Sequence, residues 1–188
     1  MKIFCSILLC LFAISITAQQ SNQNWYPLIE GSLHYGGDEL ATISFTNGEE
    51  QTMRAGQGGA LAVGFEFRNP SDRRLRGRGG VGIKYNTTAA ENVNIRFTRF
   101  PLFVTSQYQT DMGFRFGAGI SYHIAPKFKG DSVLPDVDLN SGLGRRIEIG
   151  YKWVAVVAEF IKYNIDGAFE DIDGFSIGIA GSYAFGGE

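Results

Sequence analysis

The chain has 188 residues, and its 17 Lys and Arg against 19 Asp and Glu give no case for a nucleic-acid partner. Its 25 glycines, 13% aromatic content and 5 prolines argue against both disorder and a collagen-like repeat. The length suits one folded domain.

The first element, MKIFCSILLCLFAISITAQQ, sets Lys2 before an apolar run that ends in Ile16-Thr17-Ala18. This layout predicts a signal peptide over 1–18, cleaved after Ala18, and a mature domain over 19–188. The run is short for a membrane anchor. A lipoprotein signal would need a small residue before Cys10, where Leu9 stands. Both cysteines, Cys5 and Cys10, fall inside this leader, so the mature chain is expected to form no disulfide and use no thiolate. No later stretch approaches a spanning helix, so any entry into a membrane must be made by strands.

Alternation with a period of two then recurs almost to the end. It predicts eight strands near 24–36, 58–68, 73–86, 93–108, 112–124, 144–153, 154–164 and 174–185, with no helix, so the fold is expected to be all-β. The second strand sets Leu61, Val63, Phe65 and Phe67 against Ala62, Gly64, Glu66 and Arg68. The fifth, within MGFRFGAGISYHI, sets Phe114, Phe116, Ile120 and Tyr122 against Arg115, Gly117, Gly119 and Ser121. The fourth changes phase: Val93, Ile95 and Phe97 share one parity, and Phe100, Leu102 and Val104 the other. A bulge near Thr98 to Pro101 would restore the facing.

Short turns at 69–72, 109–111 and 152–153 alternate with longer segments at 37–57, 87–92, 125–143 and 165–173. That is the connectivity of a meandering membrane barrel. In the first long segment Asn47-Gly48 lies between two alternating runs, which predicts a hairpin. A water-soluble barrel would turn its apolar face inward and carry dense Lys, Glu, Asn and Thr outside. Here the polar face is mostly Gly, Ala and Ser with isolated Arg and Glu, which fits the inside of a narrow cylinder. The apolar face is then assigned to lipid, with Trp25, Tyr35, Tyr85, Tyr108, Tyr122, Trp153, Tyr183 and Phe185 as aromatic girdles. The expected architecture is an eight-stranded antiparallel up-and-down transmembrane barrel.

The segments RFTRFPLFVTSQY, MGFRFGAGISYHI and GFSIGIAGSYAF carry a resemblance to small outer-membrane β-barrels of Gram-negative bacteria. The chain is similar to the OmpA-type transmembrane domain and to PorT-like barrels. The resemblance implies location in the outer membrane, contact with outer-membrane lipid and lipopolysaccharide, and insertion by the outer-membrane assembly machinery. In such proteins the closing strand ends in an aromatic residue that this machinery reads, and Tyr183 and Phe185 match that spacing. The resemblance names no activity.

Parity places Glu30, Glu66, Arg76, Arg78, Arg96, Arg115, Glu148 and Glu159 in the lumen as a charge network. A symmetric turn at 69–72 would set Glu66 opposite Arg76 and Arg68 opposite Arg74. The tight 152–153 turn would bring Glu148 near Glu159, two carboxylates that need Arg115 or Arg76 between them. Such charges suit a structural plug of ion pairs, or alternatively the lining of a narrow channel for ions or small solutes. A glycosidase use of the two glutamates finds no sugar-sized cleft.

Ser121 and His123 form a Ser-x-His pair, which resembles the pair used by lipid A deacylases among small barrels. A lumen-facing pair would not meet an acyl chain, so this lipid A-modifying reading stands as an alternative to a non-enzymatic role. His34 is expected at the rim. Asp131, Asp136 and Asp138, with Ser132 and Asn140, lack the spacing of a calcium loop. Gly77-Arg78-Gly79-Gly80 precedes no helix and is no phosphate loop. The sequence therefore predicts a monomer without cofactor, metal or nucleic acid. Its loops are the expected place for an outside partner.

Overall fold

In the computed structural model of the protein, residues 24–44, 50–90, 93–165 and 171–186 are described. The leader and Asn47-Gly48 lie outside them. The strands are β1 (Trp25–Tyr35), β2 (Glu39–Ser44), β3 (Glu50–Arg54), β4 (Gly58–Arg68), β5 (Leu75–Ala90), β6 (Val93–Gln109) and β7 (Phe114–Lys129). They continue with β8 (Val137–Asp138), β9 (Asn140–Ser141), β10 (Gly144–Tyr151), β11 (Val154–Phe160), β12 (Lys162–Asn164), β13 (Ile172–Asp173) and β14 (Ser176–Ala184).

Eight of these strands form one antiparallel sheet in the order β10-β11-β14-β1-β4-β5-β6-β7, and β10 pairs back onto β7 to close it. Every pair of neighbours on the ring other than β1–β14 is consecutive among the barrel strands along the chain, as in an up-and-down barrel. Closure matters energetically because every ring strand then has two ladder partners and no edge is left open.

The pleat decides what faces outward. On β4 the exposed side chains are Leu61, Val63 and Phe65, while Ala62, Glu66 and Arg68 are buried. On β14 Ile177, Ile179 and Tyr183 are exposed, and Ser176, Ala180 and Ser182 are buried. Leu33 (73% exposed), Ile179 (64%) and Trp153 (64%) belong to a continuous outward apolar belt, an inversion of the water-soluble pattern. Such a belt is matched to hydrocarbon, and the protein is a transmembrane β-barrel. Aromatic contacts line the end where β1 begins and β14 finishes: Trp25 against Phe67 (ring centroids 4.9 Å), Phe114 against Tyr151 (5.3 Å) and Tyr183 against Phe185 (5.1 Å). Tyr35, Tyr85 and Tyr122 are exposed nearer the other end. The two sets form the girdles that amphipathic rings make at membrane interfaces.

The long connections build a second layer at the loop end. β2 and β3 form the predicted hairpin, and β13-β12-β9 form a small three-stranded sheet. Between them and the barrel lies an apolar core of Met53, Ala55, Ile95, Phe97, Phe128, Leu139, Ile161 and Tyr163. Phe97 and Tyr163 meet edge-on at 5.7 Å.

This cap explains the phase change in β6 and corrects the expected bulge. Burial along β6 alternates without interruption: Ile95, Phe97, Arg99, Pro101, Phe103, Thr105 and Gln107 all point inward. The apolar parity switches because the surroundings do. Above Arg99 an apolar side chain belongs in the cap core, and below it an apolar side chain belongs in lipid. The ladder irregularity does lie there, between Thr98 and Phe100, but the extra residue is on β7. Ala125 and Pro126 together face Arg99, with Ala125 in the left-handed region (φ 46°).

Small residues keep the cylinder narrow. On the lumen side of β7, a Cβ on Gly119 would lie 2.0 Å from the Val104 carbonyl oxygen and 2.6 Å from Thr105 Cα, so any larger residue there would have to displace the β6 or β7 backbone.

Candidate functional site: the charged lumen

Inward parity on eight strands concentrates polar side chains along one axis, and they sort into three tiers. Next to the short turns, Glu66 is fully buried and gathers three guanidinium groups. Arg68 Nε and Arg78 Nε each donate at 2.7 Å, and Arg76 Nη1 lies 3.3 Å away. Arg78 and Arg115 both donate to Ser182 Oγ across the barrel, at 2.8 and 3.2 Å. Arg68 also stacks over the Tyr26 ring at 4.3 Å.

The register differs from the symmetric-turn expectation. Glu66 is paired with Arg78 and Arg68 with Arg76, two residues later than predicted. The turn is longer than 69–72 because Asn69 and Asp72 cap it locally. Ser71 N donates to Asn69 Oδ1 and Arg74 N to Asp72 Oδ1, each at 3.0 Å, which keeps Arg73 and Arg74 out of the strand. Arg74 instead pairs with Asp111 on the neighbouring turn.

In the middle tier Arg146 bridges two carboxylates. Its Nε donates to Glu148 at 2.7 Å and its Nη2 to Glu30 at 2.5 Å. Gln107 Nε2 completes Glu148 at 2.7 Å, and the Arg146 guanidinium lies over Phe103 at 4.4 Å. In the β10–β11 ladder Glu148 faces Val157 and Arg146 faces Glu159, so the expected pair of Glu148 and Glu159 with Arg115 or Arg76 between them does not form: Arg146 joins Glu148 to Glu30, and Glu159 turns to Lys84.

The upper tier joins barrel to cap. Lys84 Nζ reaches Glu159 at 3.3 Å and Ser176 Oγ at 3.5 Å. His34 is half-buried between Ser32 (3.0 Å) and Ser176 (3.3 Å). His123 is fully buried. Its Nδ1 is 2.5 Å from the Tyr163 hydroxyl on β12, and its Nε2 lies 3.3 Å from Glu159. Burial in the cap pushes the Tyr163 phenol above its ordinary range. Arg99 Nη2 donates to the Gln57 carbonyl at 2.6 Å.

Of the eight residues placed in the lumen by parity, Glu30, Glu66, Arg76, Arg78, Arg115, Glu148 and Glu159 do turn inward, and Arg96 does not. Arg96 is exposed because β6 keeps its phase, which puts it on the outer face. The lumen also holds Lys84, Arg99, Gln107 and Arg146, which the sequence reading did not single out. Lys84 and Arg146 share parity with Arg78 and Glu148, so the same rule could have found them. Arg99 was hidden by the assumed bulge.

Ser121 and His123 are both interior and do not form a dyad. Ser121 Oγ has no hydrogen-bond partner, while the imidazole is engaged by Tyr163 and approached by Glu159. In this geometry Ser121 has no base in hydrogen-bond reach, and both side chains are buried inside the barrel away from the apolar belt. The acidic loop is similarly committed elsewhere: Asp131 accepts from Asn94 N, Asp136 from Gly130 N, and Asp138 pairs with Lys127 at 2.9 Å. Among the described residues no group of three or more His, Cys, Asp or Glu could hold a metal ion.

No family model matches the chain, and no curated protein matches its sequence. Among solved structures it is similar to Neisserial surface protein A at 13% identity and TM-score 0.42, over 87% of this chain and 100% of that one. It is also similar to Ail, the attachment invasion locus protein of Yersinia pestis, at 6% identity over 85% of this chain and 97% of that one. The TM-score is 0.45 for Ail in complex with the heparin analogue sucrose octasulfate and 0.41 for Ail alone.

Proposed function

We propose that this chain is a monomeric outer-membrane barrel without enzymatic activity, whose lumen is a structural plug and whose capped end meets an outside partner. On this reading the leader over 1–18 exports it, and the assembly machinery inserts it through the closing strand that carries Tyr183. Lipopolysaccharide surrounds the outer half of its belt. The observation that carries the reading is the pairing of an apolar belt with a loop end that has its own core. Loops that served only to connect strands would need no core, whereas Met53, Phe97 and Phe128 hold the β2–β3 hairpin and the β12 sheet in one geometry. A preorganised surface binds without the ordering cost that mobile loops incur.

The narrow-channel alternative draws on the polar lumen, and the ion-paired tiers count against it. Charged side chains hydrogen-bonded across the bore have to be parted before an ion passes.

The test is surface accessibility on intact cells. Lys162 and Lys127 have exposed side chains on the loop end (69% and 44%). A membrane-impermeant amine reagent is expected to modify them before permeabilisation. Modification only after the envelope is opened would overturn the orientation and the proposed partner surface together. In planar bilayers the folded protein is expected to be silent, and steady unitary conductance would move the plug to a channel lining.

A further inference from the structure

We propose that the upper lumen is a binding site for a small monovalent anion of the halide class, held by Arg99, Lys84 and Asn86. The inference rests on the barrel interior and is independent of where the protein resides. Lys84 and Arg99 are direct cross-strand partners on β5 and β6, and both side chains turn inward with at most 2% exposure. Like charges directly opposite one another repel, and burial removes the water that would screen them. Among the described residues the carboxylate that meets this pair is Glu159, 3.3 Å from Lys84 Nζ. With the imidazoles counted as neutral, two cations face one carboxylate, and one positive charge is left over.

Three of the buried side-chain atoms without a hydrogen-bond partner belong to this pair and the residue next to it on the same face. Arg99 donates once, to the Gln57 carbonyl, and its face lies over the Phe97 ring at 4.3 Å. Its Nε and Nη1 are buried without an acceptor, and so is Asn86 Nδ2, one inward position above Lys84 on β5. All three are N–H donors. Enclosed donors with a net positive charge and no acceptor repel cations and are satisfied by an anion. A single negative charge cancels the excess. A halide accepts several N–H groups without demanding directional lone pairs, which suits donors fixed by neighbouring strands. The Phe97 ring that Arg99 lies against is itself fully buried in the cap core.

The full-length protein, purified in detergent, tests this by thermal unfolding in sodium chloride, bromide or gluconate at matched ionic strength. Chloride and bromide are expected to raise the midpoint by about 5 °C or more over gluconate, saturably. Asn86→Ala, which keeps both cations, is expected to lose most of that shift, and Arg99→Gln all of it. Equal midpoints in the three salts, or an unchanged shift in Asn86→Ala, would overturn the site. Should Arg99→Gln fail to fold, bromide-soaked crystals of the unaltered protein decide. An anomalous peak between Arg99 and Asn86 supports the proposal, and water at that position, with bromide elsewhere or nowhere, overturns it.

Discussion

Glu66 shows how far one side chain can matter in a lumen of this width. It is the shared acceptor for Arg68, Arg76 and Arg78, so Glu66→Ala leaves three guanidinium groups buried near one another without a carboxylate. Removing one partner of a buried ion pair costs about 3–5 kcal/mol, most of it the stranded charge. The barrel is expected to melt far lower in this variant, read by gel migration before and after heating. Arg74→Ala, which removes an exposed pair with Asp111 between two turns, is expected to leave the melting point where it is. Equal losses in the two variants would show that the network does not hold the lumen. Ala125 makes the opposite prediction. It occupies the left-handed region at the β7 bulge, a conformation that costs a Cβ-bearing residue about 1–2 kcal/mol and glycine almost nothing. Ala125→Gly is therefore expected to raise the melting point, and a fall would mean that the alanine methyl contributes more by packing than the backbone loses.

At the level of elements, strands and lumen were legible wherever the surroundings stayed constant along a strand. β4 and β14, and β7 as far as Ile124, each meet one solvent on their outer face, and their alternation reads straight through to the observed burial. β6 passes through two. Ile95 and Phe97 face inward into the cap core, and Phe100, Leu102 and Val104 face outward into lipid. A single rule that sends apolar residues to one face had to invent a slip there, and that invention misplaced Arg96 and hid Arg99. The turn register failed for a local reason: side-chain caps from Asn69 and Asp72 lengthened a loop whose strands alternate in the same way at either length. The cap itself could not be read, since short strands such as β9 and β13 carry too few residues to show a period. If the cap core holds the loop end together, Phe97→Ala should cost about 3–5 kcal/mol there. Protease cleavage within 36–57 should then rise sharply while strands β10 and β11 stay protected. Unchanged cleavage would detach Phe97 from the stability of the cap.

For the molecule as a whole, one arrangement supports everything else: the sheet is closed with its apolar side chains outside and its charges within. Closure satisfies the ladder hydrogen bonds, the inversion makes lipid the right solvent, and the enclosed charges set the register and fill the bore. Spin labels placed singly at Val104, Ile120, Ile147 and Ile179 on the belt, and at Asp72 and Asp111 on the turns, test this directly in lipid vesicles. Belt labels are expected to meet dissolved oxygen far more than a water-soluble nickel complex, with the ranking reversed at the turns. Belt labels that reach neither reagent, in a protein that stays soluble without detergent, would contradict the arrangement and everything built on it.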